Sequence, residues 1–508
     1  MVKLTIIYKD YIHCTVRGLL PDDIAKCIKE FKVFIPSARF QPSYKLGRWD
    51  GYKQYFTITG QTYVNLLPRM FEIINVSQYE VEIIRPENVI EDPDLGEDID
   101  NTYFSYLKWY KGHYKEDEPI MLEDHQVRVV NTCLKNHRCI IDAATGSGKT
   151  LISAVLAKKV LPFGKTILIV PSKDLAFQSA NEFKQWGLDA GIVGCNLREF
   201  GHDVTVCTWQ TINSMERSKT EKPLSVEELS KLKDGVVSLI FDECHQCKSY
   251  HIQQVCDSTF KDVPIKWGLT GTVPKEKSDY YCLYTSLGGV GAVVEAKELQ
   301  DKGFLANCNI NCIRLEDNTL CQDFTSEIEY LENNDERISF ITQLLHSIVQ
   351  TSGNTLVLLS HKKFGKNLTE KLIKLGTNAI FLNGDVKSTK RFEEYEKIKT
   401  ENNKCIVAID KIASTGLSIS RLFNLVFIDY GKAFTKTIQS VGRGLRLAKD
   451  KDFVEIYDIS STTKYSKKHF NDRIHYYDEK KYPFRILNIC LLYTSPSPRY
   501  MRRYRIPS

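Results

Sequence analysis

The chain runs to 508 residues with 42% apolar and 26% charged side chains, the balance of a folded protein of about three domains rather than a disordered or fibrous one. Its net charge of +6 is a weak hint of a polyanionic partner. No apolar run reaches the roughly 18–20 residues that span a bilayer, and Lys3, Lys9 and Asp10 interrupt the first residues too early for a signal peptide, so a cytoplasmic protein is expected.

Charge is unevenly placed. Residues 1–70 carry 11 basic and 5 acidic side chains, and residues 71–120 carry 4 and 13, a basic module ahead of an acidic connector. Within residues 1–90, alternation predicts short strands at Leu4–Tyr8, Tyr52–Ile58 and Val81–Ile84. Pro21 opens a helix over Asp22–Phe31 that carries Ile24, Cys27, Ile28 and Phe31 on one face. This is the pattern of a small α+β domain. Residues 91–117 read as an acidic linker: Glu91–Asp100 contains Pro93 and Gly96 and has no periodicity.

Over residues 118–300 strand-like runs at Cys139–Asp142, Thr166–Val170, Val204–Thr208, Val236–Phe241 and Lys266–Leu269 alternate with helical stretches. A second series over residues 301–488 contains Thr355–Leu359, Ala379–Leu382, Lys404–Ile409, Leu425–Ile428 and Phe453–Asp458. Such alternation implies two tandem α/β domains, each a parallel sheet covered by helices. Residues 489–508 are basic at their end and without periodicity, and read as a disordered tail foreign to the fold. The 15 cysteines, an odd number spread through expected strands and helices, suit buried reduced thiols. Cys244 and Cys247, with Cys308 and Cys312, are the one conceivable zinc set, but Cys244 lies inside an acidic motif that explains it better.

That motif belongs to a phosphate chemistry. The apolar strand Ile140-Ile141-Asp142 runs into Ala143-Ala144-Thr145-Gly146-Ser147-Gly148-Lys149-Thr150 and then into a helical stretch. Strand, glycine loop and helix let backbone N–H groups close on phosphate oxygens, with the helix dipole adding to the attraction. Thr145 to Thr150 would form the cradle, Lys149 would reach the β- and γ-phosphates, and Thr150 would ligate Mg2+. Ala143 departs from the strict glycine pattern. Farther along, the buried-strand composition of Val236–Phe241 ends in Asp242-Glu243-Cys244-His245. Asp242 would hold the Mg2+, and Glu243 would orient or deprotonate the attacking water.

In this order the motifs resemble those of the superfamily 2 helicases, which have two RecA-like domains and often a small residue where Ala143 stands. On that resemblance Gln126 reads adenine. Pro171 and Ser172, in Val170-Pro171-Ser172-Lys173-Asp174-Leu175 with Gln178, and Thr208 and Gln210, in Thr208-Trp209-Gln210-Thr211, grip a nucleic-acid strand. Gly268-Leu269-Thr270-Gly271-Thr272 couples hydrolysis to that grip. Thr415 and Gly416, in Ser414-Thr415-Gly416-Leu417-Ser418, meet nucleic acid and phosphate. Gln439, Arg443 and Arg446 form a catalytic set that shares one face if a helix begins there, with Arg443 and Arg446 pointing at the γ-phosphate. An arginine finger is worth about 10³–10⁵ in rate in phosphoryl transfer. Leu269-Thr270-Gly271-Thr272 replaces the Ser-Ala-Thr of RNA-directed relatives, which favours DNA. Tyr44-Lys45-Leu46-Gly47-Arg48-Trp49-Asp50-Gly51 is similar to a segment of the UvsW-type recombination and repair helicases of large tailed bacteriophages. The resemblance extends to about Leu487 and implies ATP and Mg2+ as cofactors and branched and single-stranded DNA as partners. Fork regression, branch migration and R-loop or D-loop unwinding are the implied reactions. Recombination or single-strand-binding proteins are conceivable companions, in host cytoplasm if the chain is viral.

Arg39-Phe40, Tyr44, Lys45, Arg48, Trp49, Tyr52 and Lys53 interleave cations with aromatics. Two readings stay open there: Arg48 and Lys53 on phosphates with aromatics stacked on bases, or aromatics forming the core of a small domain around a turn at Asp50-Gly51. Lys464, Lys467, Lys468, Arg473, Lys480 and Lys481 form either a second backbone contact or a solvated helix. Two rivals to a DNA-remodelling motor are the motor subunit of a restriction system and a DNA-binding or annealing protein whose ATP site only switches affinity.

Overall fold

Leu4 and Ile6, alternate residues of the first strand, have no exposed surface, and they pin the small N-terminal sheet to its core. The computed structural model describes residues 2–490 except 88, 90, 111–114, 145, 218–222, 246–248, 272, 275, 296–297, 300–306, 318, 387, 399, 410–420, 430–452 and 480–481. The chain divides into two units, one of Met1–Trp109 with Asp117–Glu298 and one of Tyr110–Glu116 with Leu299–Ser508.

The first unit begins with β1 (Val2–Tyr8), β2 (His13–Arg17), β3 (Lys32–Phe34), β4 (Tyr52–Gln54), β5 (Gln61–Tyr63) and β6 (Tyr79–Ile84). Four of these make a sheet of order β5-β2-β1-β6, and β3 pairs with β4 apart from it. The predicted helix forms over Pro21–Glu30 and lays Cys27 and the following Phe31 into the core. The strand expected over Tyr52–Ile58 stops at Gln54. A turn intervenes, in which Thr57 N–H donates to the Gln61 carbonyl at 3.0 Å. Gly60 makes that turn at φ +77°, where a Cβ would stand 1.9 Å from the Val16 carbonyl oxygen, so no other residue fits.

The acidic connector carries no regular element over 91–100, yet it is fastened to the sheet domain that follows. Leu95, Ile99 and Phe104 are buried. Asp92 pairs with Arg138 at 3.0 Å and Asp98 with Lys135 at 2.6 Å. The Asn131 side chain closes on both backbone groups of Ile99, accepting at 2.8 Å and donating at 2.9 Å. Exposed ion pairs contribute about 0–1 kcal/mol each, so the apolar anchors hold the strap and the charges set its register.

There follow β7 (Arg138–Ala143), β8 (Lys165–Val170), β9 (Ala190–Gly194), β10 (Leu197–Arg198), β11 (Val204–Thr208), β12 (Val236–Asp242), β13 (Ile265–Thr270) and β14 (Val290–Val294). They form one eight-stranded sheet of order β10-β9-β11-β8-β12-β13-β7-β14. All its pairings are parallel except β9 with β10. The helix Lys149–Val160 is apolar almost all round, with Leu151, Ile152, Ala154, Val155, Leu156, Ala157 and Val160 buried, as a helix enclosed by its neighbours must be. The described cysteines are buried or half-buried free thiols, and Cys244 packs beneath Gly268 in the sheet core.

The second unit holds β15 (Asn307–Glu316), β16 (Thr355–Leu359), β17 (Asn378–Leu382), β18 (Lys404–Ile409), β19 (Asn424–Ile428), β20 (Phe453–Ser461) and β21 (Phe484–Cys490). These strands make a wholly parallel sheet of order β17-β18-β16-β19-β20-β15-β21. Leu356 and Leu358 enter one core and Val357 and Leu359 the other, so both faces are covered. β21 runs on to Cys490, into the stretch expected as tail; residues 491–508 lie outside the described residues. No helix among the described residues is long and apolar enough to cross a membrane.

The helix Lys464–Glu479 sorts the basic stretch expected there. Lys464, Lys467 and Lys468 are exposed, and Lys480 and Lys481 lie outside the described residues. Arg473 is not a surface cation: it is buried, and its Nε and one terminal nitrogen donate to the two Asp458 oxygens at 2.8 Å, while the Tyr477 hydroxyl donates to Asp458 at 3.0 Å. Removing one partner strands the other charge in the core. Arg473→Met is therefore expected to destabilise this unit by about 3–5 kcal/mol, read as a lower denaturant midpoint. Nucleic-acid affinity of protein that remains folded should not change.

Candidate active site

All the sheet-borne motifs of the first unit end at one edge. Strand register lines them up: Thr208 faces Val170, Ile169 faces Phe241, Asp242 faces Leu269, and Thr270 faces Asp142. In parallel sheets ligands bind outside these carboxyl ends. The chain supplies there a glycine loop after β7, two carboxylates where β12 ends, a hydroxyl at the end of β13, and two polar turns after β8 and β11.

The glycine loop turns sharply at Gly146 (φ 89°) and Gly148 (φ 79°), and the helix Lys149–Val160 begins directly after it. Thr145 lies outside the described residues. The loop is held from behind by the helix Asp124–Lys135. His125 Nε2 lies 3.0 Å from the Ser147 carbonyl, and Gln126 Nε2 donates to the same oxygen at 3.1 Å. Gln126 also closes a capping box, its side-chain oxygen accepting the Glu123 N–H at 3.0 Å. His125 carries no sequence signal beyond its place beside Gln126, and only the fold shows that it reaches the loop.

Lys149 is buried, and its ammonium donates to the Ala143 carbonyl at 2.9 Å and lies 3.2 Å from Glu243 Oε1. The other Glu243 oxygen is 3.1 Å from His245 Nδ1, which is 2.7 Å from the Thr270 hydroxyl. Glu243 holds this place with φ +50°, a sparsely populated backbone conformation that over-determined sites retain. A polar chain thus runs from the phosphate-loop lysine through Glu243 and His245 to the end of β13.

Asp242 is half-buried, and its Oδ1 is shielded with no hydrogen-bond partner among the described residues. Thr150 lies in the first turn of the helix that Lys149 opens. Carboxylate and hydroxyl oxygens are the donors a hard divalent cation prefers, so this pair fits Mg2+. Asp142, which the motif reading passed over, sits half-buried at the end of β7; burial pushes its carboxyl above the usual range, against the pull of Lys149 and His245.

At the neighbouring strand ends the hydroxyls have structural work. Ser172 accepts the Leu175 N–H at 3.3 Å and caps the helix Lys173–Gln185. The buried Thr208 hydroxyl accepts the Thr211 N–H at 3.3 Å. Gln178 turns into its own helix and donates to Glu182 at 3.0 Å. Pro171 is half-buried and Gln210 is exposed. Thr415, Gly416, Gln439, Arg443 and Arg446 lie outside the described residues.

In the N-terminal domain Phe40 is 81% exposed and Leu46 65%, and Arg39, Lys45 and Arg48 are exposed around them. Phe40 is therefore not core. Trp49 is half-buried, its indole N–H donating to the Tyr52 carbonyl at 2.9 Å. Lys53 departs from the expectation of a free phosphate contact: it is half-buried, donates to the Gln253 side chain and lies 4.9 Å from the Tyr55 ring centroid.

Comparison with known proteins gives this edge its class. Residues 119–275 match the family model of the Type III restriction enzyme res subunit, and residues 336–448 that of the helicase conserved C-terminal domain. With two parallel-sheet domains in that order, the chain belongs to the superfamily 2 helicases: it is an ATP-hydrolysing, nucleic-acid-binding enzyme. It is similar to the ATP-dependent DNA helicase uvsW of Enterobacteria phage T4, with 25% identity over 88% of this chain and 91% of that protein. It is also 28% identical to the DNA 3'-5' translocase XPB2 of Sulfurisphaera tokodaii, over 54% of this chain and 51% of the relative. The fold is shared with S. cerevisiae Dbp5 bound to RNA and ADP BeF3, with a TM-score of 0.52 and 14% identity over 73% of this chain and 90% of that one.

Gly148 offers a direct check on the loop. A Cβ there would stand 2.3 Å from Gln126 Nε2, and the backbone is left-handed. Gly148→Ala is expected to introduce strain of about 1–3 kcal/mol and to displace Gln126. Both should appear as a lower melting temperature and weaker binding of a fluorescent ATP analogue.

Proposed function

We propose that the chain is an ATP-dependent DNA motor that remodels branched DNA: forks, Holliday junctions, R-loops or D-loops. The observation that carries the reading is the buried chain Lys149–Glu243–His245–Thr270 at a strand edge that also carries the two polar turns after β8 and β11. Similarity to a phage DNA helicase over nearly the whole chain supports DNA as the partner.

In this reading an incoming triphosphate takes Lys149 away from Glu243 and Ala143. Gly146, Ser147 and Gly148 enclose the phosphates with backbone N–H groups, and Gln126 exchanges its contacts for adenine. Thr150 and Asp242 would hold Mg2+, which when bound neutralises phosphate charge. Glu243, released from the lysine, takes a proton from the attacking water, and His245 carries the change in Glu243 to Thr270. Thr145 completes the cradle; Gly416 and Thr415 serve phosphate and strand, and Gln439, Arg443 and Arg446 stabilise the γ-phosphate charge. Pro171, Ser172, Thr208 and Gln210 grip the strand through backbone groups and the Gln210 amide. Arg48, with Arg39 and Lys45, meets the DNA backbone, and Phe40 stacks on an exposed base. Lys53 serves mainly as a joint to the sheet domain.

A restriction-motor reading has one observation in its favour, the res-subunit model over 119–275. It requires a sequence-recognising partner before DNA stimulates hydrolysis, whereas the remodelling reading expects stimulation by the isolated chain.

ATP hydrolysis measured with single strands, duplexes, forks and R-loops decides between them. Stimulation is expected to be largest with branched DNA; equal rates with and without DNA would exclude a motor. Lys149→Ala should abolish turnover on every substrate without lowering the melting temperature of the second unit. For the N-terminal tip, Phe40→Ala is expected to weaken fork binding by about 1–3 kcal/mol. Arg48→Ala should flatten the salt dependence of duplex binding by about 0.9 in the log–log slope.

A further inference from the structure

The helix Ser249–Gln254 follows Asp242–His245 in the chain with only residues 246–248 between. It touches three other parts of the first unit. His251 stacks on Trp209 with ring centroids 4.6 Å apart, and its Nδ1 is 3.2 Å from the Asn213 amide nitrogen, so the helix rests on the Thr208-Trp209-Gln210 turn. Gln253 is buried and faces the N-terminal domain: its oxygen accepts from Lys53, and its amide nitrogen donates to the Tyr63 hydroxyl at 3.2 Å. The same nitrogen is 3.4 Å from the Thr285 hydroxyl, on the helix Lys277–Leu287 that follows β13. Around this node the N-terminal domain is seated on both helices. Asn65 donates to the Thr285 carbonyl at 3.0 Å, the Tyr55 hydroxyl is 3.4 Å from Cys282 Sγ, and Tyr281 and Tyr284 pack on the N-terminal core.

One amide side chain therefore joins the N-terminal domain to two helices, each issuing from a strand that ends at the ATP site. A buried polar node satisfied on every side has one good geometry, and a shift of either body is felt by the other. We propose that Gln253 is a positioning residue through which nucleic acid held by the N-terminal domain accelerates ATP hydrolysis. This rests on the motor reading above. The Lys149–Glu243–His245–Thr270 chain lies at the far end of the same two elements, so tightening at Gln253 settles β12 and β13 around Glu243.

The experiment compares wild type, Gln253→Ala, Gln253→Glu and Tyr63→Phe in the full chain, with a DNA fork as probe. Basal ATPase, ATPase at saturating fork, fork affinity and melting temperature are measured for each. Gln253→Ala is expected to keep basal ATPase and fork affinity and to lose about fivefold or more of the stimulation. Gln253→Glu, which still accepts from Lys53 and can accept from the Tyr63 hydroxyl where the amide donated to it, should recover most of it. Tyr63→Phe, which deletes one hydroxyl without changing the ring, should fall between. Full stimulation in Gln253→Ala overturns the proposal, as does a loss that follows fork affinity. Should Gln253→Ala not fold, Tyr63→Phe decides, and wild-type stimulation in it counts against the node. A wild-type protein that the fork does not stimulate would instead overturn the motor reading beneath it.

Discussion

A buried ammonium must be met by charge and hydrogen bonds, and Lys149 is the buried ammonium around which this molecule's chemistry is arranged. Its partners include the Glu243 carboxylate, just past β12, and a carbonyl from the end of β7. Leaving either charge alone in such a place costs about 3–5 kcal/mol. The pairing therefore holds the phosphate loop and the acidic motif in register across two strands that do not pair with each other, since β13 lies between them. It also makes the site responsive. In the proposed reading a triphosphate takes the lysine by releasing Glu243, whose other oxygen is bonded to His245 and so to Thr270. On that reading nucleotide binding and a change at the end of β13 would be one event.

The parallel sheet explains why motifs scattered along the chain act together. Each crossover returns to the same edge, so every strand delivers its last residue to one row. Sequence order and spatial order differ: β7 lies beside β13 and β14, while β8 sits between β11 and β12. Strands carrying phosphate chemistry thus occupy one half of the row and those carrying the polar turns occupy the other. The step from β8 to β12 is the boundary. Asp242 ends on that boundary, with an oxygen that no described residue meets, where the proposed reading puts the cation.

The two sheets were legible because buried parallel strands are unbroken apolar runs, and Val204–Thr208 and Lys404–Ile409 stand where their composition puts them. The glycine turn after β7 was legible because Gly146 and Gly148 between a strand and a helix ask for left-handed backbone, which both adopt. Short elements were not. β2 and β5 have five and three residues, too few for alternation to stand out, and the break after Gln54 depends on Gly60 meeting Val16, a contact between distant residues. Side-chain partnership was the larger gap. Arg473 and Lys53 have the composition of surface cations, and nothing local says that one pairs with Asp458 in a core and the other with Gln253. For Phe40 the sequence left core and exposed positions both open, because an aromatic serves either, and only the fold shows that this one projects.

The acidic stretch over 91–117 reads as a linker, and a free linker would leave the basic module to move independently of the sheet domain. Its physical attachment argues otherwise. Leu95 and Ile99 bury apolar surface worth about 1.5–3 kcal/mol for each such side chain, and Asp92 and Asp98 meet cations of β7 and of the helix Asp124–Lys135. At its other end the N-terminal domain is seated on residues 253–285 through Lys53, Tyr55, Tyr63 and Asn65. A module held at both ends cannot work by effective concentration, which is set by the length of a free linker. Its exposed tip at Phe40 and Arg48 is then a fixed part of the first unit, and a load on that tip is borne by the helices that leave the ATP site.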